Sequence, residues 1–331
     1  MSASWDGTRV VGVGVDSSPG VADERADAAL ADALDGFPLP ETLDDAGLVL
    51  LLPDTGYPHH PSTGAVTDPA VVRALAARIR RTADPDRVLV GVAGDGQVGD
   101  RRTAELLGYG APAADPETAG RGAEAAEPGS RHRDGDDADA TAPAVVARED
   151  LDASERTVET HLGRVAVEVP ALLEAATVVV VPSLRIAPDL RLAGASATLG
   201  RWLAGGRPSA PEAAAGAAAV GAAATVVDAT TAYAGHPLAT GVLFGGAATT
   251  AVDATAASLF GWDADDVPYL PPGAAAVPIE GVDADALRRS LPRKPSEESG
   301  EPGEAMATAY RAYARVTGDV VPPQFIGGDD A

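Results

Sequence analysis

Short β-branched runs alternating with helical stretches constrain this chain more than any other feature. Leu48–Pro53 is a continuous apolar run of strand length, as expected of a strand covered on both faces. Asp68 and Pro69 then open a helix on which Val72, Leu75, Ala76 and Ile79 share one face. Residues 87–93 are a second buried run, followed by a glycine-rich turn and a helix near Thr103 to Leu107. A short run from Arg9 to Val15 precedes them, with Ser17, Ser18 and Pro19 as the next helix start. Strand, helix, strand in this order requires crossover connections, and those favour parallel pairing. The expected fold class is α/β: a mostly parallel or mixed sheet flanked by helices, Rossmann-like, with a second α/β half.

The alternation stops at residues 111–142, which hold almost no large apolar side chain. Such a segment cannot bury enough surface to offset the entropy of ordering it. The reading is an N-terminal half over 1–117, a disordered acidic insertion over 118–142, and a C-terminal half over 143–290. A linker, a final helix near 305–316 and a tail complete 291–331. In the C-terminal half, residues 165–169 and 177–181 read as strands and 194–204 as a helix. Residues 213–227 read as a buried helix running into a strand that ends at Asp228. Residues 241–244 are another strand, and 250–260 a helix containing Asp253.

Of the 331 residues, 49 are acidic and 25 basic, a net charge of -24, and Lys294 is the only lysine. Such a surface repels itself until salt shortens the Debye length to about 3 Å near 1 M. The composition therefore reads as halophilic and archaeal-like, from a salt-rich cytoplasm. The same field argues against nucleic-acid partners. The N-terminus lacks the pattern of a signal peptide, and no apolar run reaches membrane-spanning length. With no cysteine, no iron–sulfur cluster can be held through thiolates.

Gly94-Asp95-Gly96-Gln97-Val98-Gly99 matches a dinucleotide fingerprint between a strand and a helix. The acidic partner expected about 20 residues on falls in the insertion, so dinucleotide binding stands as an alternative. His59 and His60 are adjacent in an extended segment and read as a surface loop. His132, His161 and His236 read as solvated or structural. A broader pattern is positional. Asp54, Asp95, Ser183, Arg185 and Asp228 each follow a predicted strand, and open α/β sheets bind ligands outside the carboxyl ends of their strands.

Three blocks of sequence resemble the domain of unknown function 362 family. The first is Leu50-Leu51-Leu52-Pro53-Asp54, Thr67-Asp68-Pro69-Ala70-Val71-Val72 and Val90-Gly91-Val92-Ala93-Gly94-Asp95-Gly96. The second runs from Ala175 through Val181-Pro182-Ser183-Leu184-Arg185 to Arg201-Trp202-Leu203-Ala204-Gly205. The third is Val226-Val227-Asp228, Ala251-Val252-Asp253-Ala254, Gly261 and Asp266-Val267-Pro268-Tyr269-Leu270. They occur in family order over residues 48–270. Family lysines fall on Leu52 and Ser183, the family histidine on Ala187 and an aspartate on Ala248, so the family's polar site is partly stripped here. The resemblance implies an enzyme or former enzyme that binds a small anionic metabolite. Arg185 and Arg201 would be anion contacts, with Asp54, Thr55, Gly94 and Gly96 completing the ligand site. Asp95, Asp228 and Asp253 would be acid/base groups or hard-metal ligands. A non-catalytic binding or assembly protein that kept the fold is the alternative. The metal, other cofactors, the substrate and the oligomeric state are not legible.

Overall fold

The computed structural model describes residues 9–15, 24–56, 61–96, 98–110, 113 and 143–295. The helix starts expected at Ser17 to Pro19 and near 305, His59 and His60, His132 and the 118–142 insertion lie outside the described residues. The elements follow the alternation in the sequence. Strand β1 (Val10–Gly14) and helix α1 (Glu24–Asp35) precede β2 (Leu48–Pro53) and α2 (Pro69–Thr82). Next come β3 (Arg87–Val92), α3 (Asp100–Leu106) and β4 (Ala144–Ala147). A hairpin, β5 (Ala153–Thr160) and β6 (Gly163–Pro170), leads through α4 (Ala171–Ala175) to β7 (Thr177–Val181), β8 (Ser183–Ala187) and β9 (Arg191–Leu192). The chain continues with α5 (Ala195–Ala204), α6 (Ala210–Ala219), β10 (Ala224–Tyr233), β11 (Pro237–Gly246), α7 (Thr249–Leu259), β12 (Ile279–Glu280) and α8 (Ala284–Ser290).

The main sheet has the order β12-β1-β11-β10-β7-β2-β3-β4, with β8 pairing β10 and β9 pairing β8. Only β11 runs against its neighbours along that path. The fold is therefore α/β with a large mixed, mostly parallel sheet. Strands from both halves of the sequence interleave in it: β1 lies between β12 and β11, while β7 pairs with β2.

Alternation along each strand splits the interior in two. Val49, Leu51, Val88, Val90, Val179 and Val181 join a core under α1 and α2. Leu50, Leu52, Leu89, Val178 and Val180 join another under α5 and α6. Successive side chains point to opposite faces, and both faces are covered, so the strands read as unbroken apolar runs. The β5–β6 ribbon lies over α5 and α6 and forms a further layer, contributing Val167 and Val169 to the same core. Covered from both sides, α6 (APEAAAGAAA) can be almost entirely small and apolar. A Cβ on Gly216 would lie 2.4 Å from the Gly200 backbone nitrogen, so these two helices pack backbone to backbone.

Candidate functional site

The site grows from the end of β2. The Asp54 amide, one residue past the strand, donates to the Val181 carbonyl of β7 and to Thr67 Oγ1 at 2.9 Å. That fixes the start of the loop and turns the carboxylate inward. Five donors meet it. Gly56 N (3.1 Å), Arg201 Nη1 (2.7 Å) and Arg185 Nη2 (3.3 Å) donate to Oδ1, while Arg185 Nε (2.8 Å) and Ser183 Oγ (3.1 Å) donate to Oδ2. Asp54 is 0 % exposed, Arg185 2 % and Arg201 5 %. Burial alone would raise the Asp54 carboxyl, but the two guanidinium charges and their hydrogen bonds outweigh it and hold it well below the usual carboxylate range. Gly56 packs close against Arg201, since a Cβ there would sit 2.2 Å from Nη2 and displace the guanidinium.

Arg185 reaches this point from β8, a strand where the sequence reading placed only residues following β7. Its backbone carbonyl accepts from Ala193 N at 3.0 Å across a tight connection in which Asp189 and Arg191 both have positive φ. The next residues, Gly194 and Ala195, start α5, and Arg201 lies two turns along it. One short stretch of chain therefore supplies both cations.

Asp228 and Asp253 lie close by in different roles. Asp228 is inside β10 rather than at its end, because the strand continues past a bulge between Ala229 and Thr231. Its Oδ2 accepts from the Asp68 amide at 2.8 Å, and its Oδ1 accepts from Thr230 N and Oγ1 at 3.1 and 2.7 Å. Asp68 is itself the N-cap of α2. Asp253, on α7, accepts from Ala195 N at 2.7 Å and Ser196 N at 2.9 Å, the first amides of α5. Each carboxylate thus serves the N-terminus of a helix belonging to another element. Burial pushes Asp228 up to about 6, against the hydrogen bonds from Asp68 and Thr230. Burial likewise pushes Asp253 up to about 6, against those from Ser196 and Ala195.

Two buried tyrosines lie beside these groups. Tyr109 donates from its hydroxyl to the Thr67 carbonyl at 2.9 Å. Burial, then the charges of Asp68, Asp228 and Asp54, raise its phenol well above the ordinary value. Tyr269 is raised by burial and by Asp253, while Arg185 acts in the opposite sense. Of the residues expected together at the carboxyl edge, Asp54, Ser183, Arg185 and Arg201 are in direct contact, while Asp228 and Asp253 bond to other elements and the buried Tyr269 hydroxyl meets no hydrogen-bond partner among the described residues. Tyr109 had no role in the sequence reading, and Asp68 served there only as a helix start and a member of the resemblance. The N-cap signal of Asp68-Pro69 marked the helix, but nothing local marked its contact with Asp228.

The remaining expected ligand residues sit apart. Thr55 ties β2 to β3, its Oγ1 donating to the Ala93 carbonyl at 2.7 Å and accepting from Ala93 N. Asp95 is half-buried, three residues beyond β3, and its backbone lies against Gly206. Gly94 N donates to Asp100 Oδ1 at 2.6 Å, and Glu149 Oε1 accepts from Arg101 N at 3.1 Å. Carboxylates of the chain thus occupy amides that a dinucleotide phosphate at the Gly94–Gly99 turn would use. Gly96 has φ +84° and is exposed.

Each buried carboxylate is enclosed by donors of the chain. A cavity of about 570 Å³ lies at the opposite end of the sheet, where Arg9, Asp35, Phe37, Leu39, Arg78 and Glu280 line it. Among the described residues no group of three or more His, Asp or Glu side chains is placed to hold a metal ion. No described helix is long and apolar enough to cross a membrane. The fold and site define the class: a mixed, mostly parallel α/β protein with a buried carboxylate–diarginine centre at its strand carboxyl ends. Compared with protein-family models, curated proteins and solved structures, the chain matches none.

Proposed function

We propose that this chain is a divergent member of the domain of unknown function 362 family. In this reading it holds a small anionic metabolite at the carboxyl ends of its strands, in a salt-rich cytoplasm. One observation carries the ligand reading: Arg201 gives Asp54 only Nη1, and its buried Nε–H meets no acceptor among the described residues. A buried charged donor without an acceptor is costly, and an anionic ligand supplies one. The same geometry favours a binding protein over an acid/base enzyme. Asp253 spends both oxygens on helix-terminal amides, and Asp228 spends one on the Asp68 amide and the other on Thr230. A catalytic reading has one supporting observation, the elevation of both Asp228 and Asp253 to about 6, near neutral pH, where proton transfer is effective.

Native mass spectrometry of the full chain, purified in a volatile high-salt buffer, tests the ligand reading. A co-purifying anion of metabolite mass, lost on mild activation, is the expected result. A preparation that carries no such mass and takes up none from a metabolite extract overturns it.

A further inference from the structure

The two arginines spend their guanidinium edges differently. Arg185 gives Asp54 both Nε and Nη2, the side-on fork that fits a carboxylate. Arg201 gives only Nη1. Its Nε–H is buried and meets no acceptor, and no acceptor for Nη2 is present among the described residues. Asp54 cannot serve that edge, since its two oxygens already receive five donors. A buried charged donor left unpaired costs free energy and calls for a partner.

We infer that the Nε/Nη2 edge of Arg201 seats an oxyanion, a carboxylate or phosphate group taken side-on by two parallel N–H bonds, while Arg185 anchors Asp54 and does not touch the ligand. The inference rests on the anion-binding reading and divides its labour between the two cations. Asp54 sets the plane of the Arg201 guanidinium by holding Nη1. Gly56 keeps the flank clear, because a Cβ there would lie 2.2 Å from Nη2 and 2.5 Å from Cζ. The chemistry asked of Arg201 is one lysine cannot supply: a point charge keeps the attraction and loses the fork.

The test titrates the full chain with inorganic phosphate and, separately, with succinate at constant ionic strength. It follows the melting temperature and the arginine Nε–H signals in nitrogen-15 spectra. The expected result is a saturable rise in melting temperature with one probe, which tells phosphate from carboxylate. The Arg201 Nε–H signal moves and that of Arg185 does not. Arg201→Lys weakens binding about tenfold, the loss of one charge-assisted hydrogen bond. Unchanged affinity in Arg201→Lys overturns the assignment and leaves the anion reading standing. The absence of a saturable response to both probes also overturns it, with the ligand reading then resting on the mass measurement. Should Arg201→Lys fail to fold, the wild-type spectrum decides. The Arg201 signal is identified by its displacement in Gly56→Ala, and a signal unmoved at saturation overturns the assignment.

Discussion

Asp54 pairs with two buried cations, and removing it takes from each its buried carboxylate. Loss of one member of a buried charge set costs about 3–5 kcal/mol. Asp54→Ala is expected to lose at least about 3 kcal/mol at neutral pH in chemical denaturation, whereas a loss under about 1 kcal/mol would show that Arg185 and Arg201 find other partners. The carboxylates also differ in the sign of their pH dependence. Asp54 is depressed, so its contribution is present above the unfolded carboxyl value and is lost as pH falls through the folded one. Burial raises Asp228 to about 6, above the ordinary carboxyl value of 3.8. Its contribution is therefore fully present below about pH 4 and is lost as pH rises through about 6, amounting to about 3 kcal/mol. Asp228→Asn cannot titrate. Its stability relative to wild type should improve by about that amount between pH 4 and 7.5, whatever constant offset the substitution adds. Urea titrations at four pH values measure the slope, and parallel stability curves for the two proteins would sink the prediction.

At the scale of elements, α5 is held from three directions. Asp253 of α7 closes its N-terminus, Arg148 Nε donates to the Trp202 carbonyl near its C-terminus at 3.0 Å, and α6 presses on its middle at Gly200. Gly216→Ala places a methyl group against the Gly200 backbone, and overpacking of this kind costs about 1–3 kcal/mol. Because α5 carries Arg201, the displacement should also weaken anion binding. Thermal unfolding and anion titration of the one variant check both, and wild-type values would show that the helices can slide apart at no cost. Ser209→Ala removes the capping box with Glu212 and is expected to cost about 1 kcal/mol without changing binding, since that cap lies at the far helix.

Across the whole molecule, the net charge of -24 with one lysine predicts folding that depends on salt. Circular dichroism through a potassium chloride series should show native structure gained as the concentration rises toward about 1 M, where the Debye length falls to about 3 Å. Full native stability at low salt would remove the halophilic reading.

The sequence by itself determined the two-sided burial of the sheet and most of its strands. Leu48–Pro53 and Thr177–Val181 appear with the bounds the apolar runs suggested, because a run of strand length with no polar position has no solvent face to offer. The helix starting at Asp68-Pro69 was equally legible, since capping chemistry is local. The α/β class followed from element order, which needs no knowledge of distant contacts. Other features had little or no local signal. Residues 165–169 of the exposed β5–β6 ribbon read as a strand, but β5 carries polar residues through much of its length and did not. The short strand bearing Arg185 has no sequence signal of its own, and its pairing with β10 comes only from the fold. Listing Asp54, Arg185, Arg201, Asp228 and Asp253 as polar residues near one sheet edge required only strand positions and the family resemblance. Their division of labour was decided by tertiary structure alone. Residues 129 to 147 positions apart in sequence meet at Asp54, and whether a buried carboxylate pairs a cation, closes a helix or stays open depends on which donors the rest of the fold brings within 3 Å of it.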